Sequence, residues 1–288
     1  MQVVHSLWSQ PMTSCPKQER IKKQVVNLWC YALSVAYARK HNLPIRLYTD
    51  EQGKRLIGHL PYDSILPLNI PTNTPISFWA AGKFKAYEQM QPCDVHIDGD
   101  VFLTDRRCVE AIEQKLQQPF HIFAQNEETP TNCSKQYYNK IISLLNLFNI
   151  SYDNIDFPRF RKAYNTGIIS FGDNDFRNEY CYRYWQTIRQ VIANKTLADV
   201  LRIINTAPDV VLEQQMLYET ANAGVHNPNR TLLGTGKEIY KNASKIGYIH
   251  LLANAKEEEI RYIVNRVGEV SPDIYCTTQQ VFEQIIKA

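Results

Sequence analysis

The strongest constraint on the fold of this chain is an alternation: short apolar runs that read as strands are separated by longer segments whose apolar residues recur at helical spacing. Residues 3–8 read as a first strand that runs out into Ser9-Gln10-Pro11. Residues 18–41 follow as a long helix, with Ile21, Val25, Leu28, Trp29, Leu33 and Ala36 at helical intervals. Strands are then expected at 45–48 and 64–68, a helix at 78–90, a strand ending at the carboxylates near residue 100, a helix at 109–116 and a strand at 120–124. Residues 126–134 read as a polar loop, 140–148 as a helix and 167–171 as a returning apolar strand. Helices at 175–193, at 208–223 and from about 257 onward complete the pattern. Repeated β-then-α units predict an α/β fold with a mostly parallel, twisted central sheet flanked by helices and a helical C-terminal region. Such sheets bind ligands beyond the carboxyl ends of their strands.

Composition narrows the function classes. With 288 residues, 44% hydrophobic and 21% charged, the chain suits one domain over 1–288 that buries a core without staples. A net charge of +3, with no like-charge block longer than Glu257-Glu258-Glu259, argues against a nucleic-acid groove. The seven cysteines are scattered and never spaced as CxxC, which supports neither a disulfide framework nor a zinc knuckle and suits a reducing cytoplasm. No apolar run approaches the roughly 18 residues of a spanning helix, so a transmembrane segment is not expected. Peripheral association with the inner membrane stays compatible.

The chemical signal is His96-Ile97-Asp98-Gly99-Asp100, which follows Cys93-Asp94-Val95. In a strand of period two, the carboxylates one residue apart fall on one side, and Gly99 would let the backbone turn so that both face one ion. Hard divalent cations such as Mg²⁺ or Mn²⁺ take oxygen ligands and leave positions open for phosphate.

Four segments together resemble the nucleotide-sugar glycosyltransferases of the GT-A fold, and within them the bacterial capsule and lipopolysaccharide sugar transferases of the glycogenin and galactosyltransferase type. Phe78-Trp79 through Lys83 and Lys85 leads into the D-x-D element Asp98-Gly99-Asp100. Tyr164-Asn165-Thr166-Gly167-Ile168-Ile169 is similar to the family's N-[ST]-G strand, and Glu213-Gln214-Gln215 to an acidic-Gln-acidic element. His250 precedes Lys256 at the spacing of H-x-x-G-x-x-K. The chain departs at Ala253 in place of that glycine, at Glu257-Glu258 in place of a following Pro-Trp, and at Gln215 in place of an acid.

The resemblance implies a Mn²⁺ or Mg²⁺ ion held by Asp98, Asp100 and His250, with Lys256 on the donor diphosphate and Lys83 or Lys85 as a second cation. It implies Asp50 near the nucleoside, residues from His5 to Trp8 against the base, Asn165 facing donor sugar and acceptor, and a UDP-sugar donor with a glycan or lipid-linked acceptor. Residues 1–125 would form the nucleotide-sugar half, 126–256 the acceptor and catalytic half, and 257–288 terminal helices. Loops at 126–134 and 227–236 would supply acceptor contacts. Glu213 is the expected base if the reaction inverts, and Gln214 the group beneath the anomeric carbon if it retains; the likeness leans towards retention. Two other classes share parts of the pattern. His96-x-Asp98 with His250 also fits a two-histidine, one-carboxylate iron site, with Arg261 downstream for a keto acid. A nucleotidyltransferase would share the paired aspartates but wants a Gly-rich basic loop after the first strand, where this chain has Ser9-Gln10-Pro11-Met12.

Overall fold

The computed structural model describes residues 1–131, 133–152, 155–203, 208–223, 228–252 and 255–287. In chain order its strands are β1 (Gln2–Leu7), β2 (Ile45–Thr49), β3 (Ser64–Pro67), β4 (Asp94–Ile97), β5 (Val101–Leu103), β6 (Ile122–Glu128), β7 (Ser151–Tyr152), β8 (Ile155–Asp156), β9 (Ala163–Phe171), β10 (Arg230–Thr231) and β11 (Tyr248–His250). Seven of them form one sheet in the order β10-β6-β9-β4-β1-β2-β3. All its pairings are parallel except those of β9, which runs antiparallel to both β4 and β6. The expected mixed α/β fold with a mostly parallel sheet, flanking helices and a helical end is therefore present.

Helices cover both faces because the strands are apolar on both. Every residue of β9 is buried, as expected of a central strand rather than an alternating, half-wet one. One layer contains the helix Lys17–Lys40, against which the terminal helices Ile260–Val270 and Pro272–Lys287 pack; Trp29 meets Tyr275 and Phe282 there at 5.5 and 6.3 Å between ring centroids. On the other face Phe84, from the helix Ala81–Tyr87, stacks on Tyr184, from Asn174–Ala193, at 3.5 Å and 4°. A buried aromatic pair of this kind contributes about 0.5–1.5 kcal/mol beyond the area it removes from water.

Several local expectations are corrected. Residues 78–90 are α-helical only over Ala81–Tyr87. The polar stretch from Asn126 does not leave the sheet: Asn126, Glu127 and Glu128 pair with Asn165, Tyr164 and Ala163 of β9. The division at 125/126 consequently falls inside β6, so one sheet carries strands from both halves. Asn132 and Asn227, in the two loops expected to meet an acceptor, lie outside the described residues, as does Ala253. The helix expected at 208–223 opens with a π-helical turn, Val210–Gln215, before continuing as Met216–Asn222. The small β5–β11 sheet and the helices Glu51–Ile57, Lys195–Ile203 and Glu238–Ile246 were not anticipated. Among the described residues no helix is long and apolar enough to cross a membrane, and all seven cysteines are free.

Candidate functional site

Asp98, Gly99 and Asp100 form a turn that leaves the carboxyl end of β4 and leads into β5. The Asp98 amide donates to the Gly167 carbonyl at 2.9 Å, and the Val101 amide closes the turn on the Asp98 carbonyl at 3.0 Å. β5 then pairs antiparallel with β11, which sets His250 opposite Val101; the Leu251 amide donates to the Asp100 carbonyl at 3.1 Å. That short ladder unites residues about 150 positions apart. One ligand atom from each of Asp98, Asp100 and His250 lies within 4.8 Å of the others. Among the described residues this is the one such cluster of three or more histidine, cysteine or acidic side chains.

His250 is oriented from behind. Its Nδ1 donates to Gln125 Oε1 at 2.7 Å, and the same oxygen accepts from the Tyr248 hydroxyl at 2.6 Å. With Nδ1 committed as a donor, Nε2 is the ring nitrogen that faces the aspartates, 3.5 Å from Asp100 Oδ1. Gly167 makes room for this pair: a β-carbon there would stand 2.3 Å from Gln125 Oε1 and 2.6 Å from His250 Nδ1. Gly99 also answers a close approach, not a turn. Its φ is not positive, and a β-carbon would meet the Tyr31 ring at 2.4 Å.

Each aspartate is matched by an ammonium. Lys256 Nζ lies 2.6 Å from Asp100 Oδ2, and Lys83 Nζ lies 2.8 Å from Asp98 Oδ2 and 2.9 Å from Glu213 Oε1. Burial alone would drive Asp100 up, but His250 and Lys256 outweigh it and hold that carboxyl well below the usual range. Burial pushes Asp98 the other way, against the pull of Lys83. Burial would also lower Lys83, yet Asp98 and Glu213 keep its ammonium charged. Glu213 is itself fully buried, and its Oε1 also accepts from Tyr87 at 3.1 Å. The π-helical turn carries Glu213 and is fastened through the preceding residue: Asp209 accepts from the Ala80 amide at 2.8 Å and from the Tyr184 hydroxyl at 2.9 Å.

A cleft opens over this cluster, with Trp8, Tyr31, Trp79, Lys83, Asp98 and Lys256 among its walls. Other expected residues stand elsewhere. Asp50 has an N-capping role: Oδ1 accepts from the Gly53 amide at 2.7 Å, while Oδ2 accepts from the amide and hydroxyl of Ser9 at 2.8 and 2.9 Å. Lys85 leaves its helix on the opposite side from Lys83, because two positions is about 200° of helical turn. It pairs with Glu88 at 2.8 Å over the Trp185 ring. His96 is sealed in the core, with Nε2 2.8 Å from the Ser6 hydroxyl and its ring edge-on to Tyr87. Burial first, then Lys83, drives its pKa well below the ordinary value. Asn165 faces the other side of His250, where its Nδ2 donates to Glu128 Oε1 at 2.8 Å. Gln214 Oε1 accepts from Tyr138 at 2.6 Å. Sequence reading passed over Gln125, Glu128 and Asp209; the first is uncharged, and the other two sit in stretches that read as loop or ordinary helix.

Fold and site together define a mixed α/β protein with a two-carboxylate, one-imidazole candidate cation site at the carboxyl end of β4, flanked by two lysines. The chain belongs to the family of unknown function DUF6734, whose model matches residues 1–283. No curated protein and no solved structure matches it.

Proposed function

We propose that this protein is a metal-dependent glycosyltransferase of GT-A type, transferring a sugar from a nucleoside diphosphate donor, UDP-sugar foremost, to a glycan or lipid-linked acceptor in the cytoplasm. The observation that carries the reading is the meeting of Asp98, Asp100 and His250, with Lys83 paired to Asp98 and Lys256 to Asp100, where the two aspartates and both lysines line one cleft. Two carboxylates and one oriented imidazole suit Mn²⁺ or Mg²⁺, with positions left for phosphate. Such an ion supplies Lewis-acid stabilisation of charge on the departing diphosphate, typically several kcal/mol. Once the aspartates face a cation, Lys83 and Lys256 are freed as ammonium donors for phosphate oxygens. Trp8, Tyr31 and Trp79 offer apolar surface to the nucleoside and exclude water from the leaving group.

The iron-oxygenase reading finds less support. It needs His96, which is buried and turned to Ser6, and a jelly roll rather than a parallel sheet. Arg261 is exposed on a terminal helix. For a nucleotidyltransferase, the segment after β1 is a short helix, Gln10–Thr13, without a glycine-rich phosphate loop. Thermal shift with three ligand sets separates the classes. Mn²⁺ with one UDP-sugar should raise the melting temperature more than Mn²⁺ with any nucleoside triphosphate does, while Fe²⁺ with 2-oxoglutarate should not raise it. Stabilisation by the iron pair, with none by any nucleotide sugar, would overturn the proposal.

A further inference from the structure

The structure has a second pocket on the far side of His250 from the nucleotide cleft, bounded by β6, β9, β11 and the helix Glu238–Ile246. Gln125, Asn126, Glu128 and Asn165 form its polar end. Tyr240 and Leu252, 79% and 56% exposed, offer apolar surface at the other. Glu128 is the one carboxylate among the residues that line it. We propose that this pocket seats the acceptor and that Glu128 takes the proton from the attacking acceptor hydroxyl, so that transfer inverts the anomeric carbon, in place of the retention towards which the sequence likeness leans. The inference rests on the glycosyltransferase reading and adds to it a residue, a seat and a stereochemical outcome.

Topology puts the groups at one edge of the sheet. β4 and β6 are both antiparallel to β9, so they run in the same direction and their carboxyl ends reach the same edge of the sheet. Glu128 ends β6 as Asp98 follows β4. β9 lies between them, and Asn165 links the two sides. Its Nδ2 donates to Glu128 Oε1 at 2.8 Å, and its Oδ1 accepts from the Gly167 amide at 3.0 Å. Gly167 is the residue over which His250 sits, and His250 and Glu128 line the same pocket. An acceptor seated in that pocket lies against both.

The other acids are not free for this task. Glu213 Oε1 is engaged by Lys83 and Tyr87, and its Oε2 is sealed from solvent. Glu128 is only half-buried; Asn165 donates to its Oε1, and the one Tyr138 hydroxyl proton is shared between its Oε2 at 3.0 Å and Gln214 Oε1 at 2.6 Å. A carboxylate in such a frame keeps lone pairs for one more O–H. In the step, the acceptor O–H bond breaks and its proton moves to the Glu128 carboxylate. The acceptor oxygen bonds to the anomeric carbon from the face opposite the diphosphate, and the anomeric carbon–phosphate oxygen bond breaks with its electron pair leaving on the diphosphate.

Glu128→Gln keeps shape and hydrogen bonding while removing the proton acceptor. The test uses the UDP-sugar with the largest Mn²⁺-dependent thermal shift, with water as acceptor. Hydrolysis by Glu128→Gln should fall by about 10²–10⁴-fold while the thermal shift given by Mn²⁺ and that sugar stays unchanged. Proton NMR of the sugar freshly released by the wild-type protein should show the inverted anomer, a readout that does not depend on the variant folding. Hydrolysis within about threefold of wild type, or a released sugar of retained configuration, overturns the assignment of Glu128 and leaves the glycosyltransferase reading standing. Absence of a shift by any UDP-sugar removes both.

Discussion

The imidazole of His250 occupies the space that a side chain at Gly167 would need: a β-carbon there would stand 2.6 Å from both Nδ1 and Cε1 of the ring. Real side chains do not approach so closely, so ring and strand cannot both keep their places in a Gly167→Ala variant. We expect that substitution to displace His250 and Gln125 from the aspartates. The overpacking should cost roughly 1–3 kcal/mol of stability, measured by urea unfolding. Mn²⁺ affinity, measured by calorimetry, should drop at least about tenfold, which is what loss of an oriented ligand commonly costs. Unchanged Mn²⁺ binding would mean that His250 is not a ligand.

Lys83 and Glu213 form the ion pair whose removal should be felt most in folding. Glu213 is fully buried, and among the described residues its one ion-pair partner is the Lys83 ammonium at 2.9 Å. Lys83→Met strands that carboxylate, and uncompensated buried charges of this kind destabilise by about 3–5 kcal/mol. Adding Glu213→Leu removes the stranded charge, so the double variant should recover a large part of the loss. A double-mutant cycle by urea denaturation reads both numbers, and purely additive losses would contradict the pairing.

Asp209 makes a pH prediction away from the cation site. Burial pushes its carboxyl up to about 8, despite hydrogen bonds from the Ala80 amide and the Tyr184 hydroxyl. The folded protein then keeps a proton that the unfolded chain gives up near pH 4. Unfolding between about pH 4 and 8 releases that proton, so this group's contribution falls as pH rises through the window and is level above it. One full proton corresponds to a slope of about 1.4 kcal/mol per pH unit. Asp209→Asn, which keeps an acceptor for Ala80 and an amide for Tyr184, should flatten that part of the stability–pH curve. A curve parallel to wild type from pH 5 to 8 would show that Asp209 is ionised in the fold.

What the sequence made legible follows the reach of each signal. Periodicity marked the first strand and the long helix because their apolar residues repeat over many positions; Trp29 and Leu33 are among the most buried side chains. Asp98 and Asp100 were found by residue type and spacing, His250 and Lys256 by their likeness to H-x-x-G-x-x-K, and the structure brings all four together. Lys83 and Lys85 were equivalent in the sequence, since only the packed helix decides which one faces Asp98 and which lies over Trp185. Glu128 was hidden because Asn126-Glu127-Glu128-Thr129-Pro130 has the composition of a loop; its strand character comes from pairing with β9, a tertiary contact. The π-helical turn around Glu213 has no local signature, and the hold of Asp209 on Ala80 spans 129 positions. Gln125 carries no charge to attract notice, although it orients His250.

The central claim is that Asp98, Asp100 and His250 hold a cation that grips a nucleoside diphosphate. Isothermal titration of UDP into the protein, with Mn²⁺ and with EDTA, tests it most directly when repeated on Asp100→Ala. Mn²⁺ should tighten UDP binding by at least about tenfold, or about 1.4 kcal/mol, and Asp100→Ala should erase the difference. UDP binding equal in EDTA and Mn²⁺, or a Mn²⁺ effect intact in Asp100→Ala, would contradict it.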